Sequence, residues 1–321
     1  MAGPPPPPDP DLTGRFAADL AALWQGAGRI GVAVSGGPDS LALLLLAHAA
    51  LPGRVAAATV DHQLRAGAAS EAAMVAQVCA LLGVPHQTLV VSVSQGNIQA
   101  QARAARYAAL AGWMEREGLA ALLTAHHADD QAETLLLRLS RGSGAAGLAG
   151  VRARGTVPQT ALPLLRPLLA WRRSELGAVV EQAGMAAVQD PSNSDDRFDR
   201  VRIRKVLAGA DWLDVPALAQ SAANLADADA ALDWAAAREW SEAVSRSPMG
   251  LTYRPQAPRA VALRVLARIV TELDGEAPRG AAVARLFDSL LARQPASIGH
   301  LVARVVPEGW SFTRAPKQRS S

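Results

Sequence analysis

The sequence predicts an α/β protein, a Rossmann-like doubly wound parallel sheet followed by a smaller all-helical domain. Three observations predict it. Across the first half, short apolar runs alternate with longer helical patterns, as in a parallel sheet with helices on both faces. An unusual polar string follows each apolar run, so four strands release their chemistry at one edge. From about Pro216 the strand signals stop and alanine-rich helical patterning takes over.

In chain order, the opening MAGPPPPPDPD lacks the basic start and apolar centre of a signal peptide and reads as a polyproline-like tail. Residues 1–25 are therefore expected to hold a partly disordered proline-rich tail and a first helix. Strands are expected over 30–35, 55–60, 87–92 and 120–125, with helices over 40–50, 68–82 and 98–117 between them. The longest apolar run, 41–51, is interrupted by His48 and is too short to cross a bilayer. After a further helix come RGSGAAGLAG, PLLRPLL, a helix near 171–183 and DPSNSDDRFDRVRIRKVL. Residues 26–210 thus form one α/β domain, which carries the unusual polar strings. Helices near 217–244, 258–273 and 280–292 make up a helical domain over 216–300, and 301–321 is a C-terminal segment with a basic tail.

Composition narrows the function. The chain has 321 residues, half of them hydrophobic, enough for two domains and a sizeable core. Its net charge is +3, yet only Lys205 and Lys317 are lysines, so the positive charge is carried by arginine, either as GC-rich codon usage or as forks that match phosphate oxygens. Cys79 is the single cysteine, which excludes an internal disulfide, a cysteine-based zinc site and an iron–sulfur cluster held by this chain alone. A soluble cytoplasmic protein with no membrane contact is the expectation.

The string after the first strand, SGGPDS, is an anion-binding turn without a lysine. The phosphate loop G-x-x-x-x-G-K-[ST] requires a lysine that is not there, and G-x-G-x-x-G fails because Gly36 and Gly37 are adjacent. Glycines let the backbone approach an anion, and the helix start supplies N–H donors and a positive dipole end. Ser35 and Ser40 add hydroxyls. Asp39 beside a phosphate is repulsive unless a metal ion lies between them, which makes it a magnesium contact; the alternative is a capping role for Asp39 or Ser40. HHADDQAET places His126, Asp129 or Asp130, and Glu133 on one face of a helix start, as reactive groups or as dipole-favoured caps. Asp61 and His62 end the second strand, either as ligand contacts or as a capped turn, with Arg65 following. Arg103, Arg106 and Tyr107 form a basic-aromatic patch or a solvated face, and Arg200, Arg202 and Arg204 recur on alternate positions beside Lys205.

SGGPDS, VDHQLR, ARAARY, HHADDQAETLLLRLSRGSGAAGL, PLLRPLL and DPSNSD…RIR, in this order over about 29–207, resemble the N-type ATP pyrophosphatases, the PP-loop superfamily that cleaves ATP between its α and β phosphates. Within it the chain is similar to the bacterial tRNA(Ile)-lysidine synthases. The resemblance implies that Ser35, Gly36, Gly37, Pro38, Asp39 and Ser40 bind the departing pyrophosphate of ATP, with Mg2+ on Asp39 in place of the missing lysine. Asp61 and His62 then meet adenine, ribose or metal, and Arg200 and Arg204 meet ATP phosphate or the tRNA backbone. Val201 stands where the family commonly has asparagine; Asp190 and Asn193 fall on the matching turn. The implied reaction adenylates the C2 oxygen of the wobble cytidine in the CAU anticodon of tRNA(Ile). The ε-amine of free L-lysine then displaces AMP, converting codon specificity from AUG to AUA. Asp39, His126, Asp129, Asp130 and Glu133 are the implied catalytic groups, and family members are often homodimers. At pH 7 only about one lysine amine in 2,500 is unprotonated, so the site needs carboxylates for the ammonium and an acceptor for its proton.

Three rivals differ in class. A PP-loop cytidine thiolase depends on several cysteines. An amide ligase for a small molecule would have little use for the arginine-rich segments. A non-catalytic nucleotide sensor or RNA-binding module would support no ATP–pyrophosphate exchange.

Overall fold

The computed structural model describes residues 3–63, 67–92, 98–185, 187 and 199–315. Arg65, Asp190 and Asn193 lie outside the described residues. The chain divides into two units, 1–226 and 227–321.

Unit one begins with α1 (Pro10–Leu23), β1 (Ile30–Ala33), α2 (Pro38–Ala50), β2 (Val55–Asp61), α3 (Ala68–Leu82) and β3 (His86–Val90). It continues through α4 (Ile98–Glu117), β4 (Ala121–Leu123), α5 (Ala128–Leu139), α6 (Ala145–Leu148), β5 (Arg154–Thr156) and β6 (Pro163–Leu165). Then come α7 (Arg173–Gln182), α8 (Asp199–Ala208) and the start of α9 (Val215–Ala243). The six strands lie in the order β3-β2-β1-β4-β6-β5, parallel except for β5 against β6. Each expected strand and helix of the alternating half is present, with ends shifted by a few residues. The pair β5 and β6 was not foreseen, because three-residue strands are too short to show a period.

Burial on both faces explains the continuous apolar runs. On one face Phe16, Leu43, Trp171 and Val179 pack within one core cluster; on the other Tyr107, Leu110, Trp113 and Leu122 pack within a second. Residues 41–46 of α2 are all 2% exposed or less, so this helix is apolar all round and lies central. Trp113 packs against β1 at Gly31, where a Cβ would come within 2.7 Å of its ring. Prolines 4–8 line a cavity of about 340 Å³ together with Leu45, His48 and Leu82. The first turns of α9 belong to this unit, since Val215 and Ala219 pack with Ala128 and Ala132 of α5.

Unit two holds the rest of α9, then β7 (Val244–Ser247), β8 (Gly250–Tyr253), α10 (Arg259–Asp274), α11 (Gly280–Leu291), β9 (Ala296–Ile298), β10 (Leu301–Val306) and β11 (Gly309–Arg314). The anticipated helices form, but "all-helical" is too narrow and is corrected. Five strands make an antiparallel sheet in the order β7-β8-β11-β10-β9. Tyr253, Trp310 and Phe312 face a core shared with Val265, Leu286 and Leu290. The alternation Trp310-Ser311-Phe312-Thr313 carries the period of a strand, and it was passed over because charged and proline residues break the pattern on either side.

Candidate active site

β1 and β4 are adjacent and parallel, and the strand order reverses between them. The segments leaving their carboxyl ends therefore meet at the switch point of the sheet, where such folds bind ligands. The loop after β1 turns at Gly36, whose φ of +87° favours glycine. Gly37 is the N-cap of α2, and Pro38 opens the helix, where its missing N–H costs nothing. No side chain caps α2, so Asp39 and Ser40 are free of that duty. Ser40 Oγ instead accepts the Ser35 N–H at 3.1 Å, donates to Gly37 O at 3.0 Å and lies 3.1 Å from Ser35 Oγ, fixing the loop. The result is an open cup of backbone donors at a helix N-terminus.

A cavity of about 490 Å³ opens beside the loop. Of the residues singled out in the sequence, Ser35, Gly37, Asp39, Ser40, His62, His126, Asp130 and Arg200 line it. Gly36, Pro38, Asp61, Asp129, Glu133 and Arg204 do not. Asp61 Oδ1 accepts the Gln63 N–H at 2.8 Å, closing the turn after β2. Glu133 is 2% exposed and accepts a 2.8 Å bond from Arg204 Nε of α8, while its Oε2 is buried with no hydrogen-bond partner among the described residues. That bond holds the Arg204 guanidinium above its usual pKa. α8 is a helix, so Arg200 and Arg204 share a face that the alternate-position reading did not reveal. Two wall residues, Arg106 and Tyr107, were noted only as a patch, and Tyr107 carries both Arg103 and Arg106 against its ring at 5.1 and 5.2 Å.

The two adjacent histidines have opposite surroundings. His126 touches Thr124 Oγ1 at 3.2 Å; burial, then the field of Arg166, Arg106, Arg103 and Arg200, pushes its pKa down to about 3. His127 is buried among acids: its Nε2 lies 3.5 Å from Asp39 and 3.6 Å from Asp130, and its Nδ1 3.6 Å from Asp129. Burial opposes its charge, but Asp129 and Asp39 outweigh burial and raise its pKa to about 10. The HHADDQAET pattern points to His126, yet it is His127 that lies within 3.6 Å of three carboxylates. Both residues follow β4, in the segment that leads to the N-cap of α5, and the doubled histidine there was the signal.

This contrast sets a pH dependence. Between about pH 6.5 and 10 the folded chain keeps a proton on His127 that the unfolded chain releases, so stability falls as pH rises through that window. Between about pH 3 and 6.5 the unfolded chain binds a proton that folded His126 refuses, so stability falls as pH drops through that window. Each slope is at most about 1.4 kcal/mol per pH unit. Denaturant midpoints from pH 4 to 10 should show His127→Gln flattening the alkaline limb relative to wild type and His126→Gln the acid limb. Parallel curves for all three proteins would overturn the assignment.

The family model for the PP-loop domain matches residues 12–210. The tRNA(Ile)-lysidine synthase of Novosphingobium aromaticivorans is 50% identical over 310 residues, 95% of this chain and 94% of that one. That of Zymomonas mobilis subsp. mobilis is 40% identical over 301 residues, 92% and 91% of the two chains. Among solved structures, the U34-tRNA thiolase NcsA from Methanococcus maripaludis aligns with a TM-score of 0.54 at 14% identity, over 67% of this chain and 78% of that one, a likeness of fold. The sheet edge with its SGGPDS loop is thus that of a PP-loop domain, and the chain belongs to the tRNA(Ile)-lysidine synthases.

Proposed function

We propose that this cavity carries out both halves of lysidine formation on tRNA(Ile) with a CAU anticodon. The observation that carries the reading is one juxtaposition. An anion cup at the start of α2 faces a cavity whose walls hold cations, Arg106 and Arg200, and acids, Asp39 and Asp130. ATP binds with its departing pyrophosphate in the cup formed by residues 35–40. Its α-phosphate passes to the C2 oxygen of the wobble cytidine, which turns a poor electrophile into one with AMP as leaving group. The lysine ε-amine then attacks C2 and AMP departs.

Each group has a task. Asp130, on the wall, attracts the lysine ammonium, and Glu133 behind it adds charge and the buried free Oε2. Arg200 meets phosphate, while Arg204 is engaged by Glu133. His62, with a pKa lowered by burial and then by Arg106, is suited to the uncharged base or ribose. His126, held neutral, offers a hydrogen bond without adding charge. Mg2+ suits Asp39: its Oδ1 is buried without a hydrogen-bond partner among the described residues, and a hard cation prefers such oxygens. Among the described residues no three acids or histidines form a metal site by themselves, so phosphate oxygens would complete the shell. When bound there, Mg2+ neutralises phosphate charge that Asp39 would otherwise repel.

Cys79 argues against the thiolase alternative: it is buried in α3 and burial pushes its thiol up to about 12, far from a reactive thiolate. The reaction is placed in the cytoplasm, where tRNA, ATP and lysine meet; among the described residues no helix is long and apolar enough to cross a membrane. Incubation with labelled lysine, ATP and unmodified tRNA(Ile), followed by nucleoside analysis, tests the whole reading. Failure to label cytidine would overturn it.

Contacts to tRNA phosphates are assigned first to the exposed Arg103 beside the cavity. In unit two Arg238 pairs with Glu242, Arg259 with Asp288 and Arg264 with Asp229 and Asp233, and Arg268 stacks over Trp240. Among the described residues this leaves the exposed Arg285 as the unpaired one of these helix arginines. Arg103→Ala should weaken tRNA binding and lower its salt slope by about one. An unchanged slope in affinity measurements from low to high salt would make Arg103 a solvated residue.

A further inference from the structure

Asp129 sits in the first turn of α5 between His127 and Asp130, yet takes no part in the cavity wall. Both of its oxygens are occupied from the other side. Oδ2 accepts the Arg173 N–H at 2.8 Å, and Arg172 reaches Oδ2 through Nε and Oδ1 through Nη2, each at 3.4 Å. These residues open α7, so the carboxylate lies at the positive end of that helix. The helix start is itself pinned. Glu175 accepts the Arg172 N–H at 2.6 Å, and Arg15 of α1 bonds Glu175 at 2.6 Å and stacks 4.2 Å over Trp171. Trp171 O in turn accepts the first N–H of α5, from Ala128, at 2.8 Å.

The remaining approach of Asp129 is to His127. One ring nitrogen of His127 faces Asp129, and the other faces Asp39 and Asp130, the two acids of the wall. A ring with an acid on each side has one orientation that turns a nitrogen toward each; at 3.5–3.6 Å the hold is electrostatic, and Nδ1 has no hydrogen-bond partner among the described residues. Without Asp129 its broad terminal torsion is unrestrained on that side.

We infer that Asp129 is a positioning residue: held by the start of α7, it fixes the His127 ring, and the ring holds Asp39 and Asp130 in place at the cavity. The inference rests on the functional reading above, which makes Asp39 and Asp130 the groups that meet substrate. Misplacing such groups slows the chemical step more than it weakens binding.

The full-length protein tests this with two readouts, ATP–pyrophosphate exchange in the presence of unmodified tRNA(Ile) and the 15N signals of the His127 ring. Asp129→Asn keeps an acceptor for the Arg173 N–H but removes the charge facing His127. It should lower the exchange kcat about 10- to 100-fold, as loss of a supporting partner does. KM for ATP should stay near the wild-type value, and the His127 ring signals should shift. The double variant Asp129→Asn with His127→Gln should be no slower than His127→Gln alone. Wild-type kcat for Asp129→Asn, or losses that multiply in the double variant, would overturn the inference. If Asp129→Asn does not fold, Arg172→Gln replaces it, with a smaller loss in the same direction and the same shift at His127. Unchanged ring signals in that variant overturn the inference. If the wild-type protein catalyses no exchange, the functional reading fails, while the ring signals still decide the positioning role.

Discussion

Asp39→Asn should keep the fold and lower the kcat of lysidine formation by about 10²- to 10³-fold, the scale on which one preorganised electrostatic contact to a reacting group matters. The side chain caps no helix, so asparagine leaves the start of α2 as it is. It is the second residue of α2, whose N-cap is Gly37 and which has no side-chain cap. What asparagine lacks is charge. Oδ1 is buried without a hydrogen-bond partner among the described residues, and Oδ2 lies 3.5 Å from His127 Nε2. An amide there cannot offset a cation at the phosphates, so the apparent Mg2+ requirement should rise as kcat falls. It also weakens the ion pair with His127, so a small drop in the unfolding midpoint accompanies the change. Thermal unfolding, followed by kinetics across a Mg2+ series, separates the two effects. Wild-type kinetics at low Mg2+ would remove Asp39 from the metal and leave it as a partner of His127 alone.

How much of this could be read beforehand depends on the range of each interaction. The strands β1, β2 and β4 were legible because burial on both faces turns them into apolar runs, and the edge strand β3 because it falls in step with the strand–helix alternation; their polar ends were legible because each string follows its strand directly. The SGGPDS turn needed no partner to be recognised. The Arg204 bond to Glu133 and the grip of Arg172 and Arg173 on Asp129 were not legible, since each joins elements far apart in the chain. For the same reason Asp129 and Asp130, adjacent in sequence, looked alike. Only the arrival of α7 separates them, taking one carboxylate away from the cavity and leaving the other on its wall. The sheet of unit two escaped because its strands are only three to six residues long, so even a true alternation spans too few residues to stand out, and β8 meets β11 only across the intervening helices. Helix patterning was strong enough there to be taken for the whole.

The acids near the cavity then divide by position, and lysine dependence should divide with them. Asp130 lines the cavity, and its Oδ2 accepts the His127 N–H at 3.1 Å. Asparagine keeps that bond through its amide oxygen, so Asp130→Asn should fold. It loses the charge offered to the lysine ammonium, a bond worth about 1.5–3 kcal/mol, so KM for lysine should rise about 10- to 150-fold. KM for ATP should change much less. Glu133→Gln differs in kind. Glu133 is buried and paired with Arg204, and breaking a fully buried pair costs about 3–5 kcal/mol. Arg204 is 34% exposed and can turn to water, so about 1–3 kcal/mol of stability is the expected loss. Glu133→Gln should therefore lower the unfolding midpoint as well as raise KM for lysine, whereas Asp130→Asn should do mainly the latter. Steady-state kinetics with each substrate varied in turn, alongside denaturant unfolding of both variants, supply the comparison. Equal increases in KM for lysine and ATP would assign this acidic face to the nucleotide, and the ammonium site would then have to be sought on the opposite wall, near His62.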